Sequence, residues 1–220
     1  MKKTFYIFVF LVACFYSHGQ TGEAIYSIIN EEIVEKPKFI DSNPIDNSSA
    51  VEPYIPYGCD SVSTDYGSFC VKLSKYSGYN DEPGFNVVEI QRNNLTIFKL
   101  ENSNGYANLS SYVPSEHLNF SWVKLSPVTC ALIFNEYIFA SQPSMVSIVV
   151  IHKNEAKLVF NKPLFIHSIS KSTTDYFLNI TLQSNTVEYG GTPESPVALG
   201  TPSLHTIWWD GNVLRYVKQR

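Results

Sequence analysis

Residues 204–218 read LHTIWWDGNVLRYVK, and this stretch decides the fold class. Two runs of alternating apolar side chains flank Asp210-Gly211-Asn212, and Asp-Gly in that setting is the strongest short-range signal for a β-hairpin. With a two-residue loop, strand alternation predicts a buried face made of Ile207, Trp209, Leu214 and Tyr216. The other face then holds Thr206, Trp208, Arg215 and Val217. A three-residue loop would break this grouping.

The same kind of pattern continues upstream of the hairpin. Short β-branched and aromatic segments recur from residue 68 onward and are separated by turn residues. About ten strands, spaced by about eight to twelve residues, predict an all-β fold with a mostly antiparallel sandwich or barrel-like sheet. The sequence contains no clean internal repeat, which counts against a regular propeller.

The segment before the strands differs from them in composition. Residues 22–35 show a helical period in the apolar positions Ile25, Ile28, Ile29 and Ile33, and this period predicts one short N-terminal helix. A polar segment typical of a linker follows, with four prolines at Pro37, Pro44, Pro53 and Pro56. We therefore predict a signal peptide at 1–19, the helix and proline-containing linker at 20–58, and a single β-rich domain at 59–220.

The first twenty residues predict export. Lys2 and Lys3 precede an apolar run of about ten residues, and the small residues Ser17 and Gly19 precede a cleavage point before Gln20. A transmembrane helix needs roughly 20 apolar residues, so we expect cleavage rather than a membrane span. The short basic start suggests a bacterial protein of the periplasm or cell surface.

A lipid anchor is the alternative to soluble export. Residues 11–14, LVAC, resemble a bacterial lipobox, in which Cys14 would be lipidated and become the mature N-terminus. The bulky Phe15 and Tyr16 directly after the cysteine favour soluble export.

The net charge of the chain limits the classes of partner that we expect. Removing Lys2 and Lys3 from the 16 basic residues leaves 14 against 20 acidic ones, and the formal net charge moves from −4 to −6. Nucleic-acid binding needs concentrated lysine and arginine. The sequence has no lysine-rich stripe, so we expect neither nucleic acid nor an anionic membrane surface as a partner.

Three cysteines remain after cleavage of the leader. We predict a disulfide between Cys59 and Cys70, which would close a short polar loop and stabilise the fold by roughly 2–3 kcal/mol. Cys130 lies in an apolar run and is predicted to be a buried thiol. The cysteines form no C-x-x-C pair, so the sequence predicts no zinc site and no other metal site.

The sequence contains no catalytic or cofactor motif that we can identify. It has no G-x-S-x-G elbow and no H-E-x-x-H pair, and its acidic residues are scattered through turn segments. We therefore predict no catalytic residue and no cofactor, while a hydrolase whose residues come together from distant loops stays open.

Aromatic residues are the remaining candidates for function. Exposed aromatic side chains on a sheet give rigid contact area to protein and sugar ligands. The candidates are Trp122, Trp208 and Tyr112, with Arg215 expected to stack on Trp208 as a cation–π pair. We expect a non-catalytic exported β-domain that binds a protein or a glycan; a periplasmic hydrolase, an inhibitor or immunity protein, and a structural envelope protein are the alternatives.

Overall fold

Antiparallel sheets in a sandwich-like arrangement make up the fold, as the sequence predicts. The computed structural model describes residues 22–28, 54–79, 84–111, 113, 118–139, 142–184, 188–192, 195–199 and 202–219. The predicted signal peptide, the lipobox and most of the predicted linker lie outside these residues.

A five-stranded sheet forms one layer, in the order β1-β15-β14-β11-β10. Its strands are β1 (Glu23–Ser27), β10 (Leu164–Ser172), β11 (Phe177–Ser184), β14 (Leu204–Trp209) and β15 (Val213–Lys218). All neighbouring strands in it are antiparallel.

An eight-stranded sheet forms the rest of the sandwich, in the order β2-β3-β4-β5-β7-β8-β9 with β6 paired to β7. Its strands are β2 (Ile55–Thr64), β3 (Gly67–Lys75), β4 (Phe85–Arg92), β5 (Leu95–Ala107), β6 (Ser121–Ser126), β7 (Thr129–Phe139), β8 (Gln142–His152) and β9 (Glu155–Lys162). A separate hairpin, β12 (Glu188–Thr192) with β13 (Ser195–Leu199), and two short 3-10 helices, Ser77–Tyr79 and Leu109–Ser111, complete the described elements.

Two apolar cores lie on opposite faces of β7 and β8. The first core joins these strands to the five-stranded sheet and includes Ile133 and Ile148. The second core lies between them and strands β2–β5 of the same eight-stranded sheet and includes Leu132 and Val149. Strands buried on both faces have continuous apolar sequences, and the run from residue 145 to 151 is buried throughout.

The predicted N-terminal helix is wrong at residues 23–27, which form strand β1. This strand pairs with β15 at the edge of the five-stranded sheet, where Ile25 is fully buried in the first core. Isoleucine suits a strand as well as a helix, so pairing with an available sheet edge outweighs the local helical spacing. Residues 29–35 of the predicted helix lie outside the described residues.

The C-terminal hairpin has the predicted two-residue register. Trp209 pairs with Leu214 across the turn, and Trp208 pairs with Arg215. Ile207, Trp209 and Leu214 are buried in the first core, and Tyr216 packs against it. Strand β1 and the first residues of β2 lie within residues 20–58, which the sequence predicts to be a helix and a linker. The domain boundary at residue 59 stays a prediction.

Candidate functional site

The outer face of the five-stranded sheet carries a tryptophan surrounded by polar side chains. On β11, Leu178, Ile180 and Leu182 point into the first core, so the side chains between them point outward. The outward side chains near the centre define what we call the tryptophan face: Ser170, Phe177, Asn179, Thr181, Thr206, Trp208, Arg215 and Val217.

Sheet register places Trp208 in the middle of one cross-strand row. Ser170 pairs with Asn179, Asn179 pairs with Trp208, and Trp208 pairs with Arg215. In the next row, Thr181 and Thr206 are direct partners on β11 and β14. Directly opposed residues on one face have Cβ atoms about 4.5–5.5 Å apart, so an amide, a guanidinium and hydroxyl groups surround the indole.

The indole of Trp208 reaches from β14 to the start of β1. A Cβ atom added to Gly22 would be 2.5 Å from Cη2 and 3.0 Å from Cζ3 of Trp208. Gly22 precedes β1, and β1 is separated from β14 by β15. The Trp208 side chain therefore reaches across β15 to Gly22, where the missing side chain leaves space for the ring, and Trp208 is half-buried.

Arg215 is held in place beside the indole. Its Nε donates to Asp210 Oδ2 at 2.6 Å, and its Nη1 donates to the Gly22 carbonyl at 3.1 Å. Asp210 Oδ1 accepts from the backbone N–H groups of Asn212 and Val213. Burial opposes ionisation of Asp210, but these hydrogen bonds and the guanidinium outweigh it and hold the pKa of Asp210 below its usual value.

A further hydrogen bond orients Thr206 on the same face. Gln219 Nε2 donates to Thr206 Oγ1 at 2.7 Å, so the threonine hydroxyl remains a donor toward a ligand. Phe177 adds a second aromatic side chain, 42% exposed, two residues before Asn179 on the same strand. The face therefore combines two aromatic side chains with fixed donors and acceptors.

The predicted binding residue Trp122 is not on this face. Trp122 lies on β6, pairs with Leu132 and packs against the second core. Tyr112 lies outside the described residues. The structure brings Trp208 and Arg215 together, although Arg215 has Asp210 and Gly22 as its hydrogen-bond partners. Stacking of the guanidinium on the indole stays a prediction.

The predicted disulfide pair is reduced in this structure. Cys59 and Cys70 are diagonal neighbours on the outward face of the β2–β3 hairpin, because Cys59 pairs with Lys72 and Cys70 pairs with Ser61. Burial and a hydrogen bond with Cys59 raise the pKa of Cys70 to about 11. The bridge stays a prediction, and Cys14 lies outside the described residues.

A second cluster of polar side chains lies at the start of β14, and the sequence analysis did not identify it. Ser203 Oγ donates to Ser184 Oγ at 2.9 Å and lies 2.9 Å from His205 Nε2, and His205 Nδ1 lies 2.6 Å from the Tyr216 hydroxyl. His205 is 6% exposed. Burial lowers the pKa of this histidine, and the charges of Lys218 and Lys162 act in the same direction. A neutral imidazole hydrogen-bonded to a serine can accept a proton.

We also looked for metal-ligand clusters, membrane-spanning helices and similar proteins. Among the described residues, no group of three or more His, Cys, Asp or Glu side chains is arranged to hold a metal ion. In the same part of the chain, no helix has both the length and the apolar character required to span a membrane. No protein-family model, no curated protein and no solved structure matches this chain.

Proposed function

We propose that this chain is an exported, non-catalytic β-domain that binds a glycan on the tryptophan face. The observation that carries the proposal is the position of Trp208 on the outward face, in a cross-strand row between Asn179 and Arg215. A pyranose ring offers C–H groups on its faces and hydroxyls around its rim. An aromatic face with a surrounding ring of donors and acceptors complements both parts.

The composition of the face favours a neutral sugar over a charged one. Its uncharged polar side chains are three hydroxyls and one amide, and its one cation, Arg215, is already paired with Asp210. The export signal predicted at residues 1–19 would bring the domain to the compartment that contains cell-wall and extracellular glycans. A periplasmic or cell-surface location is therefore part of the same proposal.

Binding to an array of glycans, followed by calorimetry, tests this function. Trp208→Ala is expected to weaken binding by about tenfold or more, since an aromatic contact contributes on the order of 1 kcal/mol and removal of the ring exposes the ligand to water. Tyr66→Ala removes an exposed aromatic ring from the other sheet and is expected to leave glycan binding unchanged.

Phe177→Ala serves as a second variant because this side chain is exposed and lies outside both cores. It separates loss of binding from loss of fold, which circular dichroism monitors for every variant. Failure of the wild-type chain to bind any arrayed glycan would refute the proposal, as would glycan binding that neither Trp208→Ala nor Phe177→Ala weakens.

A hydrolase is the second candidate function, supported by the Ser203–His205 pair. The Ser203 hydroxyl, which donates to Ser184 Oγ in this structure, would turn its proton toward His205 Nε2 and attack a carbonyl carbon. His205, held through Nδ1 by Tyr216, would pass this proton to the leaving group as the bond between that group and the carbonyl carbon breaks, and water would then release the acyl group from Ser203. A fluorophosphonate probe tests this candidate, because it labels only an activated serine. Labelling of Ser203 that disappears in His205→Ala would support a hydrolase, and no labelling would refute it.

A further inference from the structure

Four hairpin turns come together at one end of the eight-stranded sheet. They are residues 65–66, 93–94, 127–128 and 153–154, and with Arg92 and Leu95 they define what we call the turn surface. The Asp65 N–H donates to the Pro127 carbonyl at 2.7 Å, and the Lys153 N–H donates to the Val128 carbonyl at 3.0 Å. These bonds tie three of the turns to one another.

Tyr66 and Arg92 connect the remaining turn to this group. Arg92 Nη2 donates to the Tyr66 carbonyl at 3.0 Å, and its guanidinium lies 4.7 Å from the centroid of the tyrosine ring. Asn154 Nδ2 donates to the Tyr66 hydroxyl at 3.3 Å. The four turns therefore form one continuous surface rather than separate loops.

The backbone of this surface is fixed before any ligand arrives. Asn93 and Asn94 have φ of 50° and 64°, the combination of two left-handed residues that a tight two-residue hairpin turn requires. Lys153 also has a left-handed φ, of 52°. A preorganised surface loses little conformational entropy on binding, which favours affinity.

Two exposed apolar side chains stand on this fixed backbone. Leu95 is 71% exposed and Tyr66 is 42% exposed, and Leu95 pairs directly with Arg92 across the β4–β5 hairpin. A lone exposed leucine is common on protein surfaces. Tyrosine and arginine are enriched where protein interfaces concentrate their binding energy, and Leu95 adds exposed apolar area next to Arg92.

The net charge near the turn surface has the opposite sign to the net charge of the whole chain. The four turns and the three residues on either side of each contain four basic and two acidic side chains, namely Arg92, Lys124, Lys153 and Lys157 against Asp65 and Glu155. Their formal net charge is +2, whereas the chain carries −4. Lys124 pairs with Asp65 and Lys157 pairs with Glu155, so the excess positive charge comes from Arg92 and Lys153. Charge of this sign favours a partner with acidic groups and speeds its approach.

We propose that the turn surface docks an acidic segment of a protein partner, separately from glycan binding on the tryptophan face. Leu95 and Tyr66 pack against an apolar side chain of that segment, and Arg92 pairs with a carboxylate beside it. A polyanion such as a sulfated polysaccharide would use the cations alone, while the exposed leucine adds area that only a partner with apolar groups can bury.

Panning a displayed library of random peptides on the full-length protein tests the proposal. The expected result is enrichment of peptides that combine Asp or Glu with an apolar or aromatic residue. Synthetic versions of these peptides are then titrated against variants by fluorescence anisotropy. Leu95→Asp and Arg92→Gln are each expected to weaken binding by about tenfold or more, and binding is expected to fall as salt increases from about 0.05 M to about 0.5 M.

Matched variants on other surfaces complete the experiment. Leu204→Asp changes a leucine that is 41% exposed on the other sheet, and Lys72→Gln removes an exposed cation from β3. Both, together with Trp208→Ala, are expected to bind the peptides as the wild type does. The proposal is overturned if no acidic peptide is enriched, if Leu95→Asp binds as tightly as the wild type, or if polyglutamate alone competes fully.

Discussion

At the scale of single residues, burial of Glu136 opposes ionisation of its carboxyl group. It lies on β7 opposite Tyr106, and its side chain is 4% exposed. Asn102 Nδ2 donates to Oε2 at 2.9 Å, while Oε1 has no hydrogen-bond partner among the described residues. Burial raises the pKa of Glu136 to about 7, and the Asn102 hydrogen bond opposes this shift only in part.

The raised pKa of Glu136 predicts a pH-dependent stability. The unfolded chain releases this proton near pH 4.5 and the folded chain near pH 7, so the folded state binds more protons between these values. The contribution of Glu136 to the free energy of unfolding is then largest below pH 4.5 and falls by on the order of 3 kcal/mol as pH rises to 7. Glu136→Gln should remove this decrease in the free energy of unfolding between pH 4.5 and 7.

Urea denaturation across this pH range measures the effect as the difference between variant and wild type. Glu155→Gln, which changes an exposed carboxylate, provides the control and should leave the wild-type profile unchanged. A Glu136→Gln profile parallel to that of the wild type would show that the buried carboxyl is not the source of the pH dependence.

The cysteines give a second prediction at this scale. Burial raises the pKa of Cys130 to about 12, so its thiol should resist alkylation in the native protein. Cys59 and Cys70 are outward-facing neighbours and should be found as one disulfide in protein isolated without reductant. Peptide mapping by mass spectrometry checks both points; a disulfide that includes Cys130 would contradict them. The apolar run around Cys130 was sufficient to predict its burial, which the structure confirms.

At the scale of elements, local turn chemistry was predictable and long-range pairing was not. The β14–β15 hairpin follows from Asp210-Gly211-Asn212, where Gly211 has a left-handed φ of 98°. Its register and its buried face agree with the sequence prediction. Strand β1 was predicted as a helix because its partner, β15, lies nearly 200 residues further along the chain, beyond the reach of local spacing.

Because β8 is buried on both faces, substitutions on either face should lower the stability of the protein by similar amounts. Ile148 faces the first core and Val149 faces the second, and both are fully buried. Ile148→Ala and Val149→Ala should each lower the free energy of unfolding by about 2–4 kcal/mol. On β11, Leu182→Ala should lower the free energy of unfolding by a similar amount. Thr181 points outward, so Thr181→Ala should change the free energy of unfolding by no more than about 0.5 kcal/mol. A mild effect of either β8 variant in urea denaturation would contradict the two-core arrangement.

The residue before β4 provides a matched pair of glycine substitutions. A Cβ at Gly84 would lie 1.9 Å from the Tyr106 carbonyl oxygen, and its φ of 94° is left-handed. Gly84→Ala should therefore cost at least about 3 kcal/mol. A Cβ at Gly78 meets nothing within 4 Å, so Gly78→Ala should leave stability nearly unchanged. Thermal unfolding of the two variants measures the difference, and similar melting temperatures would contradict it.

At the scale of the whole molecule, the sequence predicted the fold class but only half of the candidate site. Trp208 and Arg215 are neighbours across one hairpin, so alternation and turn chemistry were enough to place them together. Asn179 and Thr181 reach the same face only through pairing of β11 with β14, which joins segments more than twenty residues apart. No local pattern specifies that pairing, and it results from burial of the first core.

The two proposed surfaces belong to different sheets. The tryptophan face lies on the five-stranded sheet, and the turn surface lies on the eight-stranded sheet. Variants of one surface should therefore not affect ligand binding at the other, because effects of distant substitutions usually add independently. Binding of a glycan and of an acidic peptide to the same molecules, measured together and separately, checks this. A change in the affinity for one ligand caused by the other would contradict independence.

The most direct test follows the three indole N–H signals of the ¹⁵N-labelled full chain during titration. The ligands are short oligosaccharides of β-linked glucose, N-acetylglucosamine, galactose or xylose, added one at a time. At least one should shift the signal of Trp208 while those of Trp122 and the buried Trp209 remain in place. If the Trp208 signal stays fixed with every sugar, or if only Trp122 responds, the tryptophan face is not a glycan-binding site.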